Sequence, residues 1–255
     1  MPNMRDLEKT PRRVLPIFYV LDTSGSMMGT PIATLNRAMN NTVNQVRRLA
    51  DSNADALIKI AVLEVKSGCR WLQPNGPEEL DDFYWQPLEA DGLTDMGAAL
   101  TELDSKLSQK AFLGSMTGAY LPVIIFMTDG YATDDYKTPL EKIRQNRWFS
   151  RGVKIGFAVG EDADVGMISE IAGSSEAVIQ TTDLDLFARL LRNVSVTSSL
   201  VFSASRIAED DVDGGDIVRR AKEMAGIDGA DDTRGTETEY EQKAAPDPFE
   251  WEMSF

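Results

Sequence analysis

Two apolar runs, each closed by an aspartate, constrain this chain more than any other feature. The first is Val14-Leu15-Pro16-Ile17-Phe18-Tyr19-Val20-Leu21, followed by Asp22-Thr23-Ser24-Gly25-Ser26. The second runs from Tyr120 to Met127 and enters Thr128-Asp129-Gly130. Continuous apolar runs of this length suit parallel strands buried on both faces. In open α/β sheets, ligands sit outside the carboxyl ends of such strands. The two acids and their neighbouring hydroxyls are therefore expected at one edge of one sheet. A hard, oxygen-only cluster suits Mg²⁺ or Mn²⁺ and does not suit zinc or copper.

The remaining pattern alternates strands with helices. Thr30-Pro31 reads as a helix entry, with Thr30 at the N-cap and Pro31 at the first helical position. That helix runs to Leu49, with Ile32, Leu35, Met39, Val43 and Val46 on one face. A second strand over 56–65 turns at Ser67-Gly68 into a return strand over 69–72, and Phe83–Leu88 reads as a further short strand. Gly92-Leu93-Thr94-Asp95 opens a helix carrying Met96, Leu100, Leu103 and Leu107. Beyond the 120–128 strand come a helix over 135–149, a strand over 153–159 and a short helix over 164–171. A strand over 177–179 follows, then a helix capped by Asp183 with Leu184, Phe187, Leu190, Leu191 and Val194. The fold expected is α/β: a doubly wound, mostly parallel sheet of about six strands with one antiparallel edge strand and helices on both faces.

Composition removes several chemistries. The chain has 255 residues and no histidine, which excludes Ser-His-Asp catalysis and His-ligated metals. Its one cysteine, Cys69, cannot form an intramolecular disulfide. Lys66 and Arg70 flank it and would lower its pKa, although a half-buried strand cysteine is the simpler reading. The net charge is −15, of which the segment from Arg206 onward, with 6 basic and 15 acidic residues, holds −9. Such a surface repels phosphate backbones and anionic membranes, so neither nucleic acid nor membrane is expected as a partner. Arg12-Arg13 before an apolar stretch mimics a signal peptide, but Asp22 ends the stretch and no small-residue cleavage site follows. With no apolar segment near the roughly 20 residues needed to span a bilayer, a cytoplasmic location is expected. The domain reading is a polar lead-in over 1–13, one domain over 14–200 and an acidic tail over 201–255. In the tail, Ile217, Val218, Ala221 and Met224 form one weak amphipathic helix, and Gly226–Ala245 reads as disordered.

The pattern Asp22-x-Ser24-x-Ser26, then Thr94, then Asp129 resembles the metal-ion-dependent adhesion site of von Willebrand factor A domains. The order matches that family: the end of the first strand, a loop opening a central helix, and the end of a later buried strand. The chain is most similar to bacterial TerY-type members, which are associated with tellurite resistance and stress. The resemblance implies a divalent cation held by Asp22, Ser24, Ser26, Thr94 and Asp129. It also implies a protein partner that donates an aspartate or glutamate to the metal, with a PP2C-type phosphatase and a kinase-like protein as associated components.

The residues support that role on their own chemistry. Ser24, Ser26 and Thr94 offer neutral hydroxyls, and Asp22 and Asp129 supply charge directly or through water. Mg²⁺ is near-octahedral and keeps waters, which leaves a position for an incoming carboxylate. Mn²⁺ and Ca²⁺ accept the same donors. Taken singly, each motif is an ordinary turn or cap; it is their coincidence with strand ends that carries weight. Asp95 is an extra acid at the rim that would raise metal affinity while discouraging an acidic ligand. Asp134 and Asp135 read as caps of the following helix, and Trp71, Trp85 and Trp148 as packing. Met27 and Met28 lie in the metal loop, with partner contact and loop packing both open. For the tail, three readings stand: a solvated linker, a carboxylate that competes with the partner, and a docking motif of Phe249, Trp251 and Phe255.

The function expected is a non-enzymatic, metal-dependent interaction module. One alternative is a phosphohydrolase with Asp22 as nucleophile. Phosphoryl transfer wants nearby cations, and no lysine or arginine falls in the loops around Asp22, Thr94 or Asp129; the haloacid-type pattern also wants an aspartate where Ser24 stands. The other alternative is a structural subunit with an inert metal site.

Overall fold

The structure, a computed structural model, describes residues 12–52, 56–108, 110–113, 119–203 and 212–227. The continuous apolar runs become its central strands, β1 (Arg13–Asp22) and β5 (Val123–Thr128), which pair in parallel from Ile17↔Val123 to Leu21↔Met127. The other strands are β2 (Ala56–Lys66), β3 (Gly68–Trp71), β4 (Glu78–Glu79), β6 (Val153–Val159) and β7 (Val178–Thr181). Their order is β3-β2-β1-β5-β6-β7, with the two-residue β4 also on β2. All pairings are parallel except those of β3 and β4 with β2. The chain moves to one side of β1 for β2 and to the other for β5, so a topological switch point lies between β1 and β5.

Alternate residues of β1 enter two separate cores. Leu15, Ile17, Tyr19 and Leu21 pack under α1 (Thr30–Ser52), α6 (Leu184–Ser203) and α7 (Gly214–Met224). Val14, Phe18 and Val20 pack under α2 (Met96–Lys106), α3 (Lys137–Ile143), α4 (Arg147–Arg151) and α5 (Val165–Ala172). Burial on both faces is why the run shows no polar alternation, and each large side chain so buried contributes about 1.5–3 kcal/mol. Pro16 is tolerated inside β1 because it faces the β5 side before that ladder begins; two residues earlier, the Val14 carbonyl already accepts the Tyr120 N–H at 2.8 Å.

Several boundaries differ from the sequence expectation. Helix α1 starts at Thr30 itself: the Gly29 carbonyl accepts the Ala33 N–H, and Gly29 takes a positive φ of 88° that glycine adopts freely. Phe83–Leu88 is not a strand. Its Leu88 backbone N–H and carbonyl are both taken by the Asn36 side chain, and Arg47 of α1 donates to the Leu80 and Phe83 carbonyls. The expected helix over 135–149 is two helices, because Asn146 turns extended (ψ 119°) and caps α4 by accepting the Trp148 N–H. The strand expected from 120 begins its ladder at Val123.

The helix expected from Ile217, Val218, Ala221 and Met224 is α7. Ile217, Val218 and Ala221 are buried against the sheet and α6, while Met224 is exposed. The stretch read as disordered lies outside the described residues from 228 onward, as do Phe249, Trp251 and Phe255. Among the described residues, no helix is long and apolar enough to cross a membrane.

Candidate metal centre

Three loops meet at the carboxyl end of β1 and β5. Asp22 is the last residue of β1 and is fully buried. One of its oxygens accepts the Ser24 backbone N–H at 2.9 Å, which folds the loop back on the strand end. The other accepts the Thr128 hydroxyl at 2.6 Å, a bond made possible because β1 and β5 end in register. Gly25–Met27 then form a single 3-10 turn. That turn brings the Ser24 and Ser26 hydroxyls to 3.0 Å from one another, and Ser26 Oγ donates to Asp129 Oδ1 at 2.8 Å. Asp129, Ser26 and Ser24 are thus one hydrogen-bonded chain, beside an Asp22 whose two oxygens fix the loop.

Thr94 arrives on the loop before α2. That loop is tied to the metal loop by two backbone bonds, Gly25 N–H to the Gly92 carbonyl (3.0 Å) and Asp91 N–H to the Thr23 carbonyl (2.9 Å). Gly92 has φ 76°, and a Cβ there would stand 2.6 Å from Ser67 Oγ, so only glycine fits. The Thr94 carbonyl accepts the Thr133 N–H at 2.9 Å, which joins this loop to the one after Asp129. Thr94 is a buried residue, but its hydroxyl is not a buried orphan: among the described residues it has no hydrogen-bond partner and stays open to solvent at the site.

The electrostatics suit a cation. Burial, followed by the charge of Asp22, pushes the Asp129 carboxyl above its ordinary value, and the Ser26 hydrogen bond opposes this only in part. Among the described residues no three Asp, Glu, Cys or His side chains converge, so a metal at this edge would have to take hydroxyls alongside the two acids. An unpaired Thr94 hydroxyl, a serine pair and two mutually repelling carboxylates are the donor set a hard divalent ion accepts.

Other residues fall differently from the sequence expectation. Asp95 is committed to structure: its carboxylate accepts the Gly68 N–H at 2.7 Å and the Thr133 hydroxyl at 3.0 Å. Asp134 does not cap the helix after it. It reaches back to cap α2, accepting the Gly97 and Ala98 N–H groups at 2.8 Å each, whereas Asp135 does cap α3 through Lys137 and Thr138. Cys69 is not activated. Burial and then the charges of Glu102, Asp134 and Asp95 push its thiol up to about 11. Met27 packs in the core and Met28 is 68% exposed. Trp71 packs edge-on against Phe18 and Phe112.

Two participants carry no strong local signal. Thr128 is visible only as the residue before the second acid. Glu64 interrupts the apolar β2 and is buried; it pairs with Arg70 (2.7 Å) and Lys66 (3.3 Å) next to Thr23.

Comparison with known proteins bears on the fold and the family. A family model described as the von Willebrand factor type A domain matches residues 17–193. Inter-alpha-trypsin inhibitor heavy chain H6 of Homo sapiens is 28% identical over 180 residues, which cover 67% of this chain and 14% of that protein. This chain therefore spans only a small part of that relative. Among solved structures, von Willebrand factor type A from Catenulispora acidiphila aligns with a TM-score of 0.54 at 19% identity, covering 73% of this chain and 43% of that one. Proximal thread matrix protein 1 from the mussel byssus, with a zinc-occupied MIDAS motif, aligns at 0.53 and 15% identity, covering 74% of this chain and 48% of that one. At these identities the structures speak for the fold, and the family model, which matches more than half of the sequence, speaks for descent: the chain belongs to the von Willebrand factor type A domain family.

Proposed function

We propose that this chain is a non-enzymatic, metal-dependent protein-interaction module whose cation is held by Asp22, Ser24, Ser26, Thr94 and Asp129. The observation that supports it best is the hydroxyl chain from Asp129 through Ser26 to Ser24 beside the buried Asp22. Hydroxyls can turn their lone pairs to a metal while remaining neutral. When bound, the cation supplies an electrophilic position for a carboxylate of a partner protein. The chain's own residues do the rest: Asp22 and Thr128 lock the two strand ends together, and Asp134 and Asp95 hold the Thr94 loop.

Donor hardness favours Mg²⁺, with Mn²⁺ or Ca²⁺ next. The zinc in the mussel protein's motif makes zinc a required arm of the test, against the expectation from hardness alone. A TerY-type role in a cytoplasmic bacterial stress system, with phosphatase and kinase-like components, is the finer form of this proposal and rests on the motif resemblance. A phosphohydrolase is disfavoured because both Asp22 oxygens already accept hydrogen bonds in a buried setting, which makes a poor nucleophile.

The test is calorimetric titration of Mg²⁺, Mn²⁺, Ca²⁺ and Zn²⁺ into wild type and Asp22→Ala, with capture of partner from source-cell lysate in parallel. Metal binding and metal-dependent capture by wild type alone support the proposal. A partner retained equally without metal would move the interface elsewhere.

A further inference from the structure

Six large hydrophobic side chains are exposed among the described residues, and three of them ring the metal centre. Met28 (68% exposed) follows the 3-10 turn that carries Ser26; Leu93 (56%) precedes Thr94; Tyr131 (65%) follows Asp129-Gly130. Each of the three ligand-bearing loops therefore contributes one. The loops are in contact: Gly25 bonds to Gly92 beside Leu93, and a Cβ on Gly130, beside Tyr131, would lie 4.0 Å from Ser26 Oγ beside Met27-Met28. Exposed apolar groups cost free energy in water, and several grouped around a polar site mark an interaction surface. A ligand matched to this surface carries an acid between large apolar side chains. The acid meets the cation and the apolar groups cover the rim.

The chain contains such a segment. Its last ten residues, Pro246–Phe255, hold Asp247, Glu250 and Glu252 with no basic residue, interleaved with Phe249, Trp251 and Phe255. From Ile227, the last described residue, to Glu250 is 23 residues. Fully extended they reach about 75–80 Å, beyond the roughly 40–45 Å width expected of a domain of 200 residues. The tether therefore does not forbid contact.

We propose that the segment Phe249-Glu250-Trp251-Glu252 docks on the metal edge of its own molecule, one glutamate serving as the cation's external ligand and the aromatic side chains covering Met28, Leu93 and Tyr131. The tail is then an internal competitor for the partner. This inference rests on the metal-dependent reading above and adds to it the chemistry of the bound segment.

The test uses the full chain labelled with 5-fluorotryptophan, which gives four ¹⁹F resonances; Trp251→Phe identifies the one from Trp251. Mg²⁺ is added while calorimetry follows binding in the same sample. The expected result is a shift of the Trp251 resonance that tracks Mg²⁺ occupancy and does not depend on protein concentration. The shift should vanish in Glu250→Gln/Glu252→Gln and in Met28→Ser/Tyr131→Ser, with Mg²⁺ still bound by both. A Trp251 resonance that stays put while Mg²⁺ binds would overturn the inference and leave the metal reading standing. A shift that grows with protein concentration assigns the contact to a second copy and overturns the internal form. A shift that survives the rim substitutions removes the rim from the contact and overturns the proposal as stated. Absence of binding by Mg²⁺, Mn²⁺, Ca²⁺ and Zn²⁺ alike would remove the metal reading and this inference with it.

Discussion

The two edges of the sheet each bury a charge beside a like charge, and they deal with it in opposite ways. At the amino edge, Lys154 near the start of β6 is pushed down to about 8 by burial and then by Arg144. Its ammonium donates to the Phe149 and Gly152 carbonyls at 2.9 and 2.7 Å. It lines a cleft of about 440 Å³ with Arg144, Arg151 and the first turn of α7. At the carboxyl edge, Asp129 is pushed up by burial and then by Asp22. Its partner is a serine hydroxyl. Backbone carbonyls are fixed acceptors with no other role, so the amino edge is closed by the fold. Hydroxyls can redirect, so the carboxyl edge keeps donors that a cation can recruit. A displaced pKa marks both edges; the kind of partner distinguishes a structural charge from a candidate binding site.

Asp22→Ala probes this difference most directly and carries the largest expected effect. Metal affinity should fall at least about 100-fold, beyond the 10–100-fold usual for an outer partner. The Ser24 N–H also loses its acceptor, which costs about 1–3 kcal/mol for a group left buried, while the Thr128 hydroxyl falls back on the Gly130 carbonyl at 3.3 Å. That is a sizeable part of the 5–15 kcal/mol of a typical domain but leaves it folded. Calorimetry and a thermal melt read the two effects separately. A variant that melts early yet binds metal as wild type does would take Asp22 out of the metal site.

How far the sequence reveals such a division depends on range. The central strands are legible because burial on both faces leaves an unbroken apolar run, and the strand-end positions of Asp22 and Asp129 follow from it. Caps that act across the chain are not legible. Asp134 sits beside Asp135 in sequence but caps a helix that begins 38 residues earlier. Cys69 has cationic neighbours in sequence, yet burial first, and then acids distant in the chain, push its thiol up. The loop over Phe83–Leu88 has the composition of a strand but not the partner, because Asn36 and Arg47 take its backbone groups first.

A matched pair of glycine substitutions sharpens the contrast. In Gly97→Ala the new Cβ would fall 2.1 Å from the Asp135 carbonyl, and in Gly214→Ala 2.2 Å from the Lys154 carbonyl. Both obstacles are backbone, so each change should cost about 1–3 kcal/mol of overpacking. Their effect on metal should differ. Gly97→Ala displaces the 133–135 loop that braces Thr94 and should weaken binding; Gly214→Ala loosens α7 at the far edge and should leave it unchanged. Urea midpoints with metal titrations on both variants decide this, and equal metal affinities would detach the Thr94 loop from the site. Asp134→Ala is the milder form at the same place. It removes the acceptor of two N–H groups at the start of α2 and should cost about 0.5–2 kcal/mol, read in the same urea titration.

The smallest expected effect lies at the amino edge and is a matter of pH. The Lys154 value of about 8 lies below the ordinary 10.5 that applies when the chain is unfolded. Below pH 8 both states hold the proton, and the cost of burying the charge is fully present. Between pH 8 and 10.5 the unfolded chain binds more protons than the folded one, so stability rises with pH. Tyr19 acts in the other direction. Burial, partly offset by the Ser195 hydrogen bond, pushes its hydroxyl from 10.0 up to about 12, so its contribution is lost as pH climbs through that range. Cys69, raised by burial from 9.0 to about 11, acts in the same direction as Tyr19, so the urea midpoint should rise from pH 8 to about 9, level off, and turn down above about 10. With Lys154 partly solvated, the rise is on the order of 1 kcal/mol. Lys154→Met should flatten the rise and leave the alkaline fall in place, while Tyr19→Phe should keep the rise and lessen the fall above about pH 10. If wild type and Lys154→Met instead share one slope, the two carbonyls fully offset the burial of the ammonium, and the amino edge holds no stored charge penalty to set against the one at the metal edge.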